Sequence, residues 1–534
     1  MNRLTLEVIG ASLLTIAEEM GTSLIRSSYS TNIKERRDCS TAIFDARGEV
    51  IAQAEHIPMH LGSLLGVVRE VLARYPISAL APGDVFISND PYTGGGTHLP
   101  DINLVSPVYS DGSLFGFVAN IAHHADRSAD SIRTIWDEGL RITPIRLVEA
   151  GQMREDLLEL LLTNYSLPQE RLGDLRAQIA ANRLGERRLG QLIDRHGILI
   201  VQAACEESLA YGERKIRAAI TKLPDGEYRF EDAMDSDGVT SKPISIAVKI
   251  TKSGDSLALD FGGTGRQSAG DTNVVYFALL ATVYYALKAV LDPSIPANSG
   301  FYRAISVAAP KGSIVNAQTP APVAWRTHTC QRIADVILGA LSDVLPELVP
   351  AAGNGANCAM VFSGEDPATG NRYVYLETLA GGSGGTATGD GMDAVQVHVT
   401  NTSNLPVEAL EAEYPLLVTE YALVAGTGGA GQQRGGLGLR RTIEIIGHEA
   451  RFLGSTERAV FAPWGLFGGE PGGRARLVLN PGQAGQQELP SKVWGYPLAP
   501  GDRVMVETPG AGGYGPSEAR SAQLREDDAR NGIL

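Results

Sequence analysis

Cysteine is scarce in this chain, four among 534 residues, and Cys39, Cys205, Cys330 and Cys358 show no CxxC spacing. Neither a disulfide framework nor a cysteine zinc site is indicated, and a reducing cytoplasm is the expected location. No Lys/Arg-rich run stands out, and Asp plus Glu outnumber Lys plus Arg by 61 to 46, for a net charge of -15. Nucleic acid and anionic membranes are therefore poor partners. No run of eighteen apolar residues occurs, and the first twenty residues carry Arg3, Glu7, Glu18 and Glu19 instead of a basic start and an apolar core, which argues against secretion. GxxxxGK[ST] is missing, and no glycine tract sits between a clear strand and helix with an acidic residue about twenty positions on, so no nucleotide site is expected here. No internal repeat of fixed period is apparent.

What is present is an ordinary globular composition, 43% hydrophobic and 20% charged, in a chain too long for one core. The pattern predicts a mixed α/β (α+β) fold of several subdomains. Residues 1–148 read as a hairpin-rich α/β region, with helices over 4–28 and 61–75. Residues 149–222 turn helical. Residues 223–350 mix hairpins with helices at 275–291 and 330–345. Residues 351–516 are glycine-rich and β, and 517–534 form a charged tail expected to fray. The 61 glycines cluster in tracts such as GGSGG and GTGGAG. GGSGG shares only its letters with a nucleophile elbow, and these tracts read as devices for tight turns and close backbone approach.

The stretch around which the chain is organised is FISNDPYTGGGTHLPDINLVSPVYSDGSLFGFVANIAHHAD, residues 86–126. Two apolar-rich strands, 102–109 and 114–121, flank a Ser110-Asp111-Gly112-Ser113 turn. The hairpin brings His98 and Asp101 to one open end with His123 and His124. Imidazole and carboxylate donors together fit Zn, Mn or Fe better than Ca or Mg. A two-residue turn pairs Asp101 with Ala122 and puts His124 on the face of Asp101, whereas a one-residue shift puts His123 there. A second hairpin, with strands near 40–44 and 50–53, places Asp38 at its open end close to His56. Both are candidates for the same centre, unless Asp38 pairs with Arg36 or Arg37 and His56 is packed in the core. Trp325-Arg326-Thr327-His328 ahead of a helix, and His398 on an expected strand, are candidates for an oxyanion contact or proton transfer.

NIKERRDCSTAIFD, AEHIPMHLGS, GDVFISNDPYTGGGTHLPDINLVSPV, GFVANIAHHAD, HVTNTSNLPVEALE, RGGLGLRR and ETPGAGGYG, spread over nearly the whole chain, resemble the hydantoinase B family, also called the oxoprolinase family. The resemblance implies one subunit of a heteromeric, ATP-dependent enzyme, such as an α2β2 assembly. Its hydantoinase A-like partner would bind ATP and phosphorylate the substrate's carbonyl oxygen, and this chain would hydrolyse the activated cyclic amide. The alternative is carboxylation of a phosphoenol, as in acetone and acetophenone carboxylases. Position by position, it implies Asp38, His98, Asp101 and His123 as ligands of a divalent transition metal, Mn or Zn. It implies His124 as a group behind the ligands or facing the substrate, with Glu35, Asp126 and His56 as weaker additions. His124 and Asp126 are the candidate catalytic groups, and His56, with Arg326 and His328 from the Trp325–His328 cluster, the candidate substrate-binding ones.

Overall fold

The computed structural model describes residues 3–54, 56–124, 132–165 and 167–533. Its site-bearing element is an antiparallel sheet with strands β1 (Cys39–Asp45), β2 (Val50–Ala54), β3 (Val85–Ser88), β4 (Asp101–Ser110), β5 (Ser113–His123), β6 (Ile145–Glu149) and β7 (Gln152–Met153). Their order is β2-β1-β5-β4-β3-β6-β7. Period-two alternation gives the sheet two apolar faces, because successive strand side chains point opposite ways. Ala42, Phe44, Phe117, Ala119 and Ile121 pack on the helix Pro58–Arg74 through Leu64, Val68 and Val71. Ile43, Val108 and Val118 face the other way, onto the helices Arg3–Ser27 and Pro168–His196, through Ile9, Leu13, Met20, Leu189 and Ile193. The helix Arg3–Ser27 has the length and apolarity of a membrane span. Its Ile9, Leu13, Ile16, Met20 and Leu24 are nevertheless buried, which is how a core helix packs.

Beyond this layer, a four-stranded sheet with strands within 226–308 shares one apolar cluster with the helices Tyr276–Leu291 and Arg326–Leu341. Two further sheets, of four and five strands within 358–507, share a second core that includes Met360, Phe362, Phe452, Ile443 and Val504. The glycine tracts pack backbone on backbone. A Cβ on Gly384 would lie 1.8 Å from the Ala351 carbonyl oxygen, a contact no side chain survives.

Four expectations need correcting. The helix expected over 61–75 starts at Pro58, because proline suits the first helical turn, and this makes His60 helical. The helix expected over 330–345 runs from Arg326 to Leu341, so Arg326 and His328 lie inside its first turn instead of ahead of it. His398 is in a turn with φ of 52°, not on a strand. The tail from 517 does not simply fray. Ala522–Arg530 is a helix capped by Ser521, and Arg520 bonds Asp390 at 2.7 and 2.8 Å and Asp528 at 2.8 Å.

Candidate metal centre

Strands β4 and β5 close on Ser110–Ser113 as the sequence indicates, but the ladder shifts between Val108 and Tyr109. Tyr109 pairs with Leu114 and Val108 with Gly116, so Phe115 is the extra residue of a bulge. That one residue moves Asp101 from the expected position opposite Ala122 to a position opposite His123. His123, not His124, therefore shares the face of Asp101. His98, Asp101 and His123 are buried, with ligand atoms within 4.8 Å of one another.

The loop carrying His98 is fastened from two sides. Asn89 donates from Nδ2 to the Leu99 and Leu140 carbonyls at 2.7 and 2.9 Å. Asn103 Nδ2 donates to the Gly95 carbonyl at 2.5 Å. The Gly94-Gly95-Gly96 tract allows this path. Gly94 sits at φ of 85° with its backbone against Gly66, where a Cβ on Gly66 would meet the Gly94 Cα at 2.5 Å. Asp38 enters from the start of β1, where its carbonyl accepts the His123 N–H at 3.0 Å.

The carboxylate of Asp101 is divided in function. Its Oδ2 accepts from Arg326 Nη2 at 2.9 Å and from Thr97 Oγ1 at 2.5 Å. Its Oδ1, fully buried, has no partner at hydrogen-bond geometry among the described residues; it faces His98 Nε2 at 3.4 Å, an atom that likewise has none there. Two donors sharing one ion at about 2.1 Å stand roughly that far apart, so the donor set fits a divalent transition metal. His60 Nε2 lies 3.4 Å from Asp38 Oδ1 and 3.6 Å from Asp101 Oδ1, between the two carboxylates.

Burial raises the Asp101 carboxyl, but His98, Arg326 and His60 outweigh it and hold the group well below the usual carboxylate range. Burial, then Arg326, lowers His98 to about 4. Burial and His98 lower His123 in the same way. Both rings are held neutral, the form that ligates a metal. Burial raises Asp38 against the pull of His60 and Arg36.

The cluster borders a cavity of about 400 Å³ lined by Asp38, His60, His98 and His123, the cationic Arg36 and Arg326, and apolar Ile57, Met59 and Trp136. Not every residue singled out by sequence is there. His124 is turned to the other face of β5, where its Nε2 meets Gln178 Oε1 at 2.8 Å on the helix Pro168–His196. His56 lines a separate cavity of about 350 Å³ beside Tyr284, Tyr285 and Tyr302, and the place near Asp38 expected for it belongs to His60. His328 is fully buried, with Nε2 2.9 Å from Ser455 Oγ. Glu35 is exposed to solvent. Asp126 lies outside the described residues. Sequence reasoning missed His60, Arg36 and Glu138. His60 falls inside the motif AEHIPMHLGS, and that is the only signal for it.

The sequence matches the hydantoinase B/oxoprolinase family model over residues 2–517, and the chain belongs to that family. Among its relatives is one component of a putative D-/L-hydantoinase of Pseudomonas sp. strain NS671, 33% identical over 99% of this chain and 93% of the relative. The crystal structure of ATP-dependent caprolactamase from Pseudomonas jessenii superposes with a TM-score of 0.93 at 30% identity, covering 100% of this chain and 94% of that one. Nucleotide-free acetone carboxylase shares the fold, with a TM-score of 0.90 at 18% identity over 99% of this chain and 78% of that one.

Proposed function

We propose that this chain is the metal-dependent hydrolytic subunit of an ATP-dependent cyclic-amide hydrolase. It would receive a ring whose carbonyl oxygen a hydantoinase A-like, ATP-binding partner has phosphorylated, within a hetero-oligomer such as α2β2. The observation that carries this reading is the His98, Asp101 and His123 cluster, which opens on a cavity with two arginines in a chain that lacks any phosphate loop. Phosphorylation converts a resonance-stabilised amide carbonyl into an electrophile with a good leaving group.

His98, Asp101, His123 and Asp38 would hold Mn or Zn, which when bound supplies Lewis acidity and lowers the pKa of water at the site. The chain's own groups prepare the cavity. Arg326 and Thr97 fix the Asp101 carboxylate by occupying Oδ2 and leaving Oδ1 to the ion. Arg36, buried and bonded to Asn32 Oδ1 at 3.0 Å and Thr378 Oγ1 at 3.2 Å, adds a second fixed positive charge for an anionic substrate. Ile57, Met59 and Trp136 give the ring an apolar wall.

Metal analysis and turnover of the complex with its partner test this. The wild type should carry a stoichiometric transition metal and open a lactam or hydantoin ring with ATP consumption and no need for bicarbonate. His98→Ala and Asp101→Ala should lose both metal and turnover. Full turnover in either variant removes the metal role, and bicarbonate-dependent carbon–carbon bond formation would replace hydrolysis with carboxylation.

A further inference from the structure

We infer that Glu138 is a catalytic residue, the proton donor to the ring nitrogen as the amide bond breaks; this rests on the hydrolytic reading above. Glu138 ends the short helix Ile135–Glu138 on the wall of the same cavity as the His98, Asp101 and His123 cluster. It is only 6% exposed. Its Oε1 accepts the backbone N–H of Val323, three residues before Arg326. Its Oε2 is buried with no hydrogen-bond partner at bonding geometry among the described residues, the Leu99 N–H pulling on the carboxyl only weakly. A buried carboxyl oxygen without a partner is costly in an apoprotein and calls for an explanation. A donor–acceptor group on a substrate would provide one.

The segment around Glu138 is held rigidly enough for such a task. Thr134 and Asp137 form a capping box at the helix start, and the Ile135 N–H bonds the Pro320 carbonyl at 3.1 Å. The charged and titratable groups that bear on Glu138 are Asp271, Arg326 and the Tyr92 hydroxyl. Burial is the main influence, Asp271 adds to it, and together they push Glu138 up to about 8 against the pull of the Val323 N–H, Arg326 and the Leu99 N–H. Asp271, itself buried, is pushed up to about 7. Near neutral pH Glu138 therefore keeps its proton, the state a general acid requires.

The other acids lining the cavity are suited to different work. His98, His123 and Asp38 are drawn into the metal cluster, His60 lies between two carboxylates, and Asp137 is occupied by its capping bonds, which hold it below its ordinary range although burial raises it.

The chemistry creates the need. Water adds to the phosphorylated carbonyl carbon, forming a C–O bond and releasing one proton. The C–N bond then breaks with its electron pair going to nitrogen, which takes the proton of Glu138, while the added hydroxyl gives up its remaining proton to solvent and its oxygen becomes the carbonyl of an acyl phosphate. A second water cleaves that acyl phosphate to carboxylate and phosphate. The Glu138 carboxylate recovers the proton released by the first water.

Glu138→Gln keeps the shape and removes the proton. In the assembled complex it should be compared with wild type on caprolactam, whose leaving group is an amine, and on hydantoin, whose leaving nitrogen is far less basic. The expected result is a loss of at least about 100-fold in kcat on caprolactam, a much smaller loss on hydantoin, and disappearance of the fall in kcat above about pH 8. Glu138→Asp, still an acid, should retain that fall with intermediate activity, which guards against a folding defect in the glutamine variant. Equal losses on both rings, or no loss, overturn the inference alone. A wild-type complex inert on both rings overturns the hydrolytic reading and this inference with it.

Discussion

His60 stands between the carboxylates of Asp38 and Asp101, 3.4 and 3.6 Å from one oxygen of each. A ring in that position fixes how the two carboxylates present themselves to an ion, as outer-shell partners of metal ligands do. Replacing it with alanine should weaken metal affinity by about 10–100-fold with the fold intact, as measured by chelator competition alongside circular dichroism. Unchanged affinity would remove His60 from the centre. At this scale the site was partly legible. Asp38, His98 and Asp101 stood out as polar residues at hairpin ends, whereas His60 was hidden because the helix that carries it, which starts at Pro58, was expected to begin only at residue 61. Glu138 carried no local signal. Its role comes from burial beside Asp271 and Val323, residues far along the chain.

The two hairpins were readable as elements because alternation and turn residues determine them locally. The register of one was not. The choice between His123 and His124 turns on the bulge at Phe115, which no turn or periodicity rule marks. Phe115 is buried in the cluster with Leu13, Leu192 and Cys205, so the bulge rests on contacts between distant segments. The same dependence on neighbouring elements governs the glycine loop that leads to His98. Because a Cβ on Gly66 would lie 2.5 Å from the Gly94 Cα and 2.6 Å from its carbonyl oxygen, backbone must move to admit one. Gly66→Ala should destabilise the protein by about 1–3 kcal/mol and lower metal occupancy by displacing the loop. The urea midpoint and the metal content check this together. An unchanged midpoint would mean that the helix Pro58–Arg74 and the loop are not locked against each other.

Across the whole molecule, the helix that begins at Arg326 is tied to distant strands by buried charge. Arg332 and Arg458 both bond Asp232, at 3.0 and 2.9 Å, and Arg458 also bonds Asp335 at 2.6 Å, while Lys492 pairs with Glu457. Partners a hundred or more positions apart, as Arg332 and Arg458 are from theirs, are beyond sequence reading, which is why the mixed α/β fold class was legible and these ties were not. Buried titratable groups also set the pH response of stability. Glu138 binds its proton up to about 8 in the folded state and only to about 4.5 unfolded. Between those values the native state holds the extra proton, so by linkage stability falls as pH rises through the window. Asp271, from 3.8 to about 7, acts in the same direction. His328, buried and held well below 6.5 with burial the chief cause, acts oppositely. Below about 6.5 the unfolded chain takes up a proton that the folded chain refuses, and stability falls as pH drops. Melting temperature measured from pH 5 to 9 should therefore carry a downward contribution from Glu138 up to about pH 8, and Glu138→Gln should remove it across pH 5 to 8 while leaving the slope above about 8 unchanged. The same slope between pH 5 and 8 in variant and wild type would show that Glu138 does not hold a proton in the folded protein.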